Sequence, residues 1–311
     1  MKSPKTIAIT GASGFTGGAI ARYFLQLGWH VIGFGRKDKP LLPHKIDYHQ
    51  WDITQGTIAM QQAIDVVVHA AAQVGDAGKK ADFMRVNVAG TKNVLNSFRD
   101  AGQIIHVSSA SVYDPLQAII NIKEDAPYAT HYLNHYSESK MLAEKIVRQH
   151  PHPNKIILRP RAIYGVGDTT LLPRLVRLYR AGYMIGFGDG NNQLSITHID
   201  NFCHAVACAT RYNSLVDIFN VTDTETITQR QLLATIADYL QKPFKPIFIP
   251  HTMSQHIATI SQTLQQIGIP MSLSPYALHN LSQTVTLSID KAKTQINYDP
   301  FSPKTPIIKF S

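Results

Sequence analysis

The sequence predicts an α/β fold: a doubly wound parallel sheet with a smaller, interleaved C-terminal lobe. Two observations predict it. Short apolar segments alternate with helix-like segments through the first half of the chain, which is the pattern of parallel β-α units. A glycine-rich segment, Thr10 to Gly17, also stands between the first apolar segment and the first helical one. In open parallel sheets, that position faces the ligand.

The strands are predicted from short, β-branched or apolar runs, which suit strands that are buried on both faces. In the first half of the chain they are residues 6–9, 30–35, 47–51, 64–71, 103–108 and 156–158. The helices are predicted from apolar residues that recur on one face, and Gly28 and Gly102 are suitable ends for the first two. These helices are residues 18–27, 81–100 and 136–150.

Beyond Gly165 the alternation is weaker. Helices are predicted at residues 171–181, 200–210 and 229–240, and strands at 194–199 and 217–221. We therefore expect residues 1–165, with 194–221 returning to them, to form one domain. Residues 166–193 and 222–311 are expected to form the smaller substrate lobe.

Composition limits the kind of protein this chain can be. Its 311 residues are 44% hydrophobic and 16% charged, which is typical of a globular protein with a substantial core. The net charge is +9, but the basic residues are scattered, so a solvated surface is favoured over a nucleic-acid interface. No apolar run approaches the ~20 residues of a membrane span. Because the first residues run straight into the first predicted strand, we expect no signal peptide. The chain has two cysteines, Cys203 and Cys208, which we expect to be reduced residues of the core. We therefore expect a cytoplasmic protein.

The glycine segment has the spacing G-x-x-G-x-x-G, and each glycine has a physical role in a dinucleotide site. Gly11 permits the tight turn after the strand, Gly14 permits close approach of a pyrophosphate, and Gly17 permits close helix packing. The N–H groups at the start of the helix then face the phosphates. The spacing alone is weak evidence, because an ordinary turn can produce it.

The end of the second predicted strand indicates which dinucleotide is bound. NAD sites carry an acidic residue about 20 positions past the glycines, where it binds the ribose. Here Gly35 takes that position and Arg36 follows. A glycine leaves room for a 2′-phosphate and a guanidinium can bind it, so NADP(H) is favoured and NAD(H) stays possible. Arg36 could also be a solvated loop residue, and Asp38 could reach the ribose.

Tyr136 and Lys140 lie four residues apart on a predicted helix and therefore share a face. The pKa of a free tyrosine is about 10, and a nearby ammonium lowers it, which makes proton transfer practicable. A hydroxyl is also needed to orient the substrate oxygen, and the serine-rich end of the fifth strand offers several.

Together these motifs make the chain similar to the extended short-chain dehydrogenases/reductases, the family of NAD-dependent epimerases and dehydratases. The matching stretches, in family order, are Thr10–Gly17, His69–Ala71, Asn87–Thr91, Ser108–Tyr113, Tyr136–Lys140, Arg159–Pro160 and His198–Asn201. The resemblance implies a Rossmann domain and a C-terminal substrate lobe. It implies Ser109 as the catalytic hydroxyl, Tyr136 as acid/base and Lys140 on the nicotinamide ribose.

Departures from the family pattern favour one branch. Ala110 and Ser111 stand where dehydratases carry an acid pair. Ala162 and Leu194 stand where nucleotide-sugar epimerases usually carry asparagine and arginine, although Arg161 or Arg174 could compensate. The resemblance is strongest to the 3β-hydroxysteroid dehydrogenase-like branch, which implies hydride transfer on an alcohol or ketone of a small, largely apolar substrate. The alternatives are a nucleotide-sugar 4-epimerase and a non-catalytic NADP-sensing protein.

The predicted site follows from these motifs. The catalytic residues are Ser109, Tyr136 and Lys140. The cofactor-binding residues are Gly11, Ser13, Gly14, Phe15, Thr16, Gly17, Arg36, Asp52, Ile53, Ala70, Ala71, Tyr136, Lys140 and Pro160. The residues expected to contact substrate are Gln73, Val74, Ala110 and Arg161. We expect no metal site, a small-molecule substrate as the partner, no nucleic acid, no membrane span and a possible homodimer.

Overall fold

The computed structural model describes residues 4–76, 78–114, 120–250, 253 and 280–301. Its strands, in chain order, are β1 (Thr6–Thr10), β2 (His30–Gly35), β3 (Asp47–Gln50), β4 (Val66–His69), β5 (Gln103–Val107), β6 (Lys155–Pro160), β7 (Ile163–Tyr164), β8 (Tyr179–Arg180), β9 (Tyr183–Phe187), β10 (Gln193–Leu194), β11 (Thr197–His198), β12 (Asp217–Val221), β13 (Ile227–Thr228) and β14 (Pro246–Ile249). Its helices are α1 (Phe15–Gln26), α2 (Lys80–Phe83), α3 (Gly90–Ser97), α4 (His135–Gln149), α5 (Leu171–Val176), α6 (Ile199–Ala209), α7 (Gln229–Tyr239) and α8 (Asp290–Ile296).

Seven parallel strands form the central sheet, in the order β3-β2-β1-β4-β5-β6-β12. Alternate residues of β1 face opposite sides: Ile7 and Ile9 pack with α1 and α6, whereas Ala8 packs with α3 and α4. Each central strand is therefore buried on both faces, which requires the continuous apolar runs seen in the sequence. The predicted doubly wound sheet is confirmed.

The chain reverses its direction of winding between β1 and β4, which are neighbours in the sheet. At such a switch point, the loops that leave the two strands turn to opposite faces and open a crevice at the carboxyl edge of the sheet. The glycine segment after β1 and the segment after β4 border this crevice. The topology therefore fixes where a ligand can enter.

Two of the predicted helices differ from the structure. The helix predicted at residues 171–181 ends at Val176 and is followed by the β8–β9 hairpin. Ala181 and Gly182 both have positive φ, +50° and +87°, as a two-residue type I′ turn requires. The helix predicted at residues 81–100 is interrupted by a π-helical turn, Met84–Ala89, between α2 and α3. Such single π turns are frequent at functional sites.

Outside the central sheet, a second apolar cluster joins α5, the β8–β9 hairpin and α7. Leu172, Leu175, Met184, Phe187 and Leu233 are buried in it. The division into residues 1–165 with 194–221, and 166–193 with 222–311, stays a prediction. Residues 251–252, 254–279 and 302–311 of the predicted lobe lie outside the described residues. Every helix that the structure describes is too short or too polar to span a lipid bilayer.

Candidate active site

A cavity of about 490 Å³ lies at the carboxyl edge of the sheet, over the switch point. Loops from the sheet domain line one side, and residues of α5, β10 and α7 line the other. Every predicted cofactor and catalytic residue lines it, as do Val74, Ala110 and Arg161. Gln73 does not line it, because its main chain is held aside by Asn87, which accepts from the Gln73 N–H at 2.7 Å and donates to its carbonyl at 3.0 Å.

The glycine loop is shaped by close backbone contacts. Gly11 has φ +75°, and a Cβ there would lie 2.8 Å from the Ala71 nitrogen. A Cβ on Gly17 would lie 2.3 Å from the Gly11 carbonyl oxygen. Gly14 caps the N-terminus of α1, whose first-turn N–H groups lack intrahelical acceptors. The loop therefore offers backbone donors and a positive helix end to an anion, which is the chemistry a pyrophosphate needs.

The side-chain tips of Ser13 and Tyr48 lie close to Gly35 at the end of β2. A Cβ there would lie 2.5 Å from Ser13 Oγ and 2.8 Å from the Tyr48 hydroxyl. The following turn is tied to β3, because Gln50 donates to the Arg36 carbonyl at 2.9 Å and Tyr48 donates to the Lys37 carbonyl at 2.8 Å. Glycine thus stands where NAD sites carry an acidic residue, and the Arg36 side chain lines the cavity.

Asp52 lies beside this turn and caps a 3₁₀ turn, Ile53–Gln55, by accepting from the Thr54 N–H at 2.9 Å. Burial acts to raise the pKa of Asp52. Its hydrogen bonds with Thr54, together with the nearby guanidinium groups of Arg36 and Arg85, outweigh burial and lower that pKa below its usual value. Asp52 is therefore a charged acceptor at the rim of the cavity.

The end of β4 is held by a directed hydrogen-bond chain through His69. The Thr91 hydroxyl donates to the Asn87 carbonyl at 2.6 Å, so it accepts from His69 Nε2, 2.9 Å away. His69 Nδ1 then accepts from the Thr10 hydroxyl at 2.7 Å, and that hydroxyl accepts from the Ala71 N–H at 3.2 Å. Burial, helped by the charge of Lys140, lowers the pKa of His69 to about 3, which keeps the ring neutral. These hydrogen bonds hold Ala70 and Ala71 against the glycine loop.

Helix α4 supplies the predicted acid/base pair. Asn134 caps this helix by accepting from the Ser137 N–H at 2.8 Å. Tyr136 and Lys140, which are one helical turn apart, both line the cavity. The Lys140 ammonium donates to the Val107 carbonyl at 2.6 Å. Burial lowers the pKa of Lys140 to about 8, and the Glu144 carboxylate acts in the opposite direction. Lys140 is thus a desolvated cation held between α4 and the end of β5.

Ser109 follows β5 and caps a short 3₁₀ turn, Ala110–Val112, where its Oγ accepts from the Ser111 N–H at 3.2 Å. Its position is set by the neighbouring strand, because the Ser108 N–H donates to the Leu158 carbonyl of β6 at 2.8 Å. The structure therefore brings Ser109, Tyr136 and Lys140 to one cavity from two separate segments. The roles assigned to them stay predictions.

A buried charge network beneath these residues was missed in the sequence. Glu144 is fully buried and accepts from Arg159 at 2.9 and 2.6 Å, from Tyr128 at 2.8 Å, and from the Ser108 hydroxyl. Burial acts to lower the pKa of Arg159, but its bonds and charge interaction with Glu144 raise it overall. The Arg159 guanidinium also stacks on the Tyr113 ring, 4.7 Å from its centroid. The sequence offered one signal for Glu144, which is its spacing: Glu144 lies one helical turn after Lys140.

On the far side of the cavity the sequence singled out Arg161 and Arg174, but the apolar lining around them was missed. Arg174 on α5 pairs with Asp76 at 3.1 Å, which joins the lobe to the segment after β4. Arg161 donates to the Asn280 side-chain oxygen at 3.0 Å. The remaining lining on this side is mostly apolar and includes Leu171, Leu175, Leu194, Ile196, Leu232 and Leu281. No group of His, Cys, Asp and Glu side chains suited to a metal occurs among the residues that the structure describes.

Comparisons with known proteins agree with this arrangement. Residues 7–222 match the model of the NAD dependent epimerase/dehydratase family. A Stigmatella aurantiaca protein named 4-hydroxy-2-methyl-3-oxo-4-farnesyl-3,4-dihydroquinoline-1-oxide ketoreductase is 26% identical over 93% of this chain and 90% of its own. The mouse sterol-4-alpha-carboxylate 3-dehydrogenase, decarboxylating, is 28% identical over 95% of this chain and 87% of its own.

A further relative, the 2-alkyl-3-oxoalkanoate reductase of Stenotrophomonas maltophilia, is 31% identical over 63% of this chain and 62% of its own. Among solved structures, the UDP-glucuronic acid 4-epimerase of Bacillus cereus in complex with NAD has a TM-score of 0.73 at 21% identity. The match covers 96% of this chain and 94% of that one, and it shows a shared fold. The chain belongs to the NAD dependent epimerase/dehydratase family and is an enzyme of the extended short-chain dehydrogenase/reductase type.

Proposed function

We propose that this enzyme is an NADP(H)-dependent oxidoreductase that acts on a secondary alcohol or ketone of a small, largely apolar substrate. One observation carries the proposal. Ser109, Tyr136 and Lys140 line the same cavity as the glycine loop, and the lining opposite them is mostly apolar. A hydroxyl, a phenol and a buried cation beside a dinucleotide site are the groups that carbonyl reduction requires.

The residues present suit a nicotinamide dinucleotide. The glycine loop would hold its pyrophosphate, and Arg36 would hold a 2′-phosphate. Lys140 would hold the nicotinamide ribose. When bound, the nicotinamide supplies or accepts the hydride at the carbinol carbon. NADP(H) is favoured because position 35 carries no carboxylate and the side chain of the next residue, Arg36, lines the cavity.

Proton transfer falls to residues of α4. In the reducing direction, the Tyr136 hydroxyl donates its proton to the substrate oxygen while the Ser109 hydroxyl orients that oxygen. The buried ammonium of Lys140 stabilises the phenolate that results, which makes the transfer practicable near neutral pH. In the oxidising direction the same groups act in reverse.

The names of the relatives support this reaction over the alternatives. A ketoreductase, a sterol dehydrogenase and an oxoalkanoate reductase all oxidise alcohols or reduce ketones. The epimerases found among solved structures are less similar in sequence and support the fold alone. Ala162 and Leu194, where asparagine and arginine are usual in nucleotide-sugar enzymes, also argue against an epimerase. A non-catalytic NADP sensor is disfavoured because the named relatives are enzymes.

The proposal is tested by Tyr136→Phe, with Tyr132→Phe as the matched control. Tyr132 is a neighbouring tyrosine whose hydroxyl donates to the Val112 carbonyl at 3.4 Å. We expect Tyr136→Phe to lower turnover by ~10²–10⁴, the usual contribution of acid/base catalysis, with little change in NADPH affinity. Oxidation of NADPH would be followed against apolar ketones, with UDP-glucose as the contrast substrate. Unchanged turnover in Tyr136→Phe would contradict the mechanism, and conversion of UDP-glucose alone would favour the epimerase.

A further inference from the structure

We propose that Tyr48 and Gln50 of β3 are positioning residues for the 2′-phosphate of NADP(H). They hold the turn after β2 in an orientation that presents the main-chain N–H groups of Arg36 and Lys37 to a phosphate. The proposal rests on the cofactor proposed above and deepens it, because it gives a role to two side chains that do not themselves line the cavity.

Three consecutive carbonyls at the end of β2, those of residues 35–37, are bonded to β3 and to the residue that follows it. The first carbonyl accepts from the Trp51 N–H at 2.9 Å. The second accepts from the side-chain amide of Gln50 at 2.9 Å, and the third accepts from the Tyr48 hydroxyl at 2.8 Å. Two of the three hydrogen bonds that fix the turn therefore come from side chains.

Strand β3 is well placed to supply these side chains. It is the edge strand of the sheet and pairs with β2 in parallel. Because side chains alternate along a strand, Tyr48 and Gln50 lie on the same face. Burial raises the pKa of Tyr48, the nearby Ser13 hydroxyl acts in the opposite direction, and the charge of Asp38 adds to the rise. The Tyr48 hydroxyl therefore keeps the proton that it donates to the turn.

The peptide groups of this turn determine where its N–H groups point. In a planar trans peptide, the carbonyl of one residue and the N–H of the next point in opposite directions. The carbonyls of Gly35 and Arg36 point toward the β3 side, so the N–H groups of Arg36 and Lys37 point away from it. On the opposite side of β2 lies β1, which leads into the glycine loop. Neither N–H group donates to an acceptor within the described part of the chain.

This turn offers the chemistry that a phosphate requires. Two successive main-chain N–H groups on one side form a small anion-binding concavity, and the Arg36 guanidinium at the same turn lines the cavity. A phosphate monoester has three acceptor oxygens and binds charge-assisted donors of this kind. A ribose 2′-hydroxyl is instead held by an acceptor, the carboxylate that NAD sites carry where this chain has Gly35. The turn therefore selects the phosphorylated ribose.

The test uses two nucleotides that differ only in the 2′-phosphate, adenosine 2′,5′-bisphosphate and AMP. Calorimetric titration should show that the wild type binds the bisphosphate about tenfold to a hundredfold more tightly, as charge-assisted hydrogen bonds provide. Gln50→Met and Tyr48→Phe each free one carbonyl of the turn, so part of the binding energy must then order it. Each should weaken bisphosphate binding about threefold to tenfold and leave AMP binding unchanged. Gln55→Met is the matched control, because it makes the same change at an exposed side chain that donates to Thr54 instead.

These outcomes separate the positioning role from damage to the fold and from the choice of cofactor. Gln50 is exposed, so Gln50→Met should unfold at the wild-type temperature while its preference for the bisphosphate falls. A wild-type preference in both Gln50→Met and Tyr48→Phe would overturn the positioning role and leave NADP(H) as the cofactor. Equal binding of the two nucleotides by the wild type would overturn the NADP(H) preference, and this inference with it. Should Tyr48→Phe fail to fold, Gln50→Met decides by itself.

Discussion

The glycine loop and helix α4 border the same cavity but are held in place by different kinds of interaction. The loop is shaped by main-chain contacts, such as Gly17 against the Gly11 carbonyl, that leave no space for a Cβ. Helix α4 is held by buried charges, with Lys140 bound to β5 and Glu144 bound to Arg159 of β6. The loop needs a particular residue type at each position, whereas α4 needs particular partners from distant segments.

This difference predicts what a substitution in each region should change. A substitution in the loop meets backbone atoms that cannot move far, so it should affect cofactor binding before stability. Loss of one charge under α4 leaves its partner buried and unpaired, so it should affect stability first and catalysis with it. Three substitutions test this contrast, in order of decreasing expected effect.

The largest effect is expected for Glu144→Gln. It leaves the Arg159 guanidinium, 2% exposed, without its carboxylate, which should lower the free energy of unfolding by about 3–5 kcal/mol. Urea denaturation measures this. The matched control on the same helix is Glu138→Gln, because Glu138 pairs with Lys80 at the surface, and the cost there should be under about 1 kcal/mol. Equal losses in both variants would contradict the contrast.

A pH profile separates the electrostatic role of Glu144 from a purely structural one. Activity requires charged Lys140, so it should fall as pH rises through the Lys140 pKa of about 8. The Glu144 carboxylate raises that pKa, and His69 on β4 and His106 on β5 are the other titratable groups that interact with Lys140. The double variant Glu144→Gln/Arg159→Met removes both charges of the buried pair. The alkaline limb of its pH profile should move to lower pH, because Glu144 no longer raises the pKa of Lys140. An unmoved limb would show that Glu144 only holds the fold.

A smaller effect is expected for Gly17→Ala, at the start of α1. Its Cβ would lie 2.3 Å from the Gly11 oxygen, so the loop must shift and NADPH affinity should fall about tenfold to a hundredfold, corresponding to ~1–3 kcal/mol of overpacking. Gly28→Ala, at the other end of α1, is the control. Gly28 has φ +79° but nothing within 4 Å, so alanine there should cost ~1 kcal/mol of stability and leave NADPH affinity unchanged. Normal NADPH binding in Gly17→Ala would contradict the assignment of the glycine loop to the cofactor.

The smallest effect is expected for Arg36→Ala. Loss of one guanidinium at the cavity rim should weaken NADPH binding about tenfold, or ~1.4 kcal/mol, and leave NADH binding unchanged. Lys37→Ala is the neighbouring control, because the Lys37 side chain is exposed and its carbonyl, which Tyr48 binds, is retained. Fluorescence titration with both cofactors measures the ratio. An unaltered ratio of NADPH to NADH affinity would remove the basis for NADP specificity.

The regions predicted well from sequence are those in which local chemistry is decisive. The prediction for β2 matches the structure from His30 to Gly35, because a parallel strand buried on both faces requires an apolar run. The prediction for β12 also matches, from Asp217 to Val221. The helix predicted past Val176 was wrong because helical periodicity competed with a turn at Ala181–Gly182 that only the hairpin reveals. The π turn around Asn87 was missed because its residues continue the helical pattern, and the contact of Asn87 with the Gln73 main chain is a tertiary one.

By itself, the sequence determined the sheet, the glycine loop and the family, and it predicted three groups, Ser109, Tyr136 and Lys140, that the fold brings to one cavity. Glycine spacing and strand periodicity are local requirements of the backbone, so they can be read along the chain. The tertiary structure alone decided which charges pair beneath and across the site. Arg159 meets Glu144, Arg174 meets Asp76 and Arg161 meets Asn280 across 15, 98 and 119 residues. Burial sets the strength of such contacts, and no local pattern encodes them.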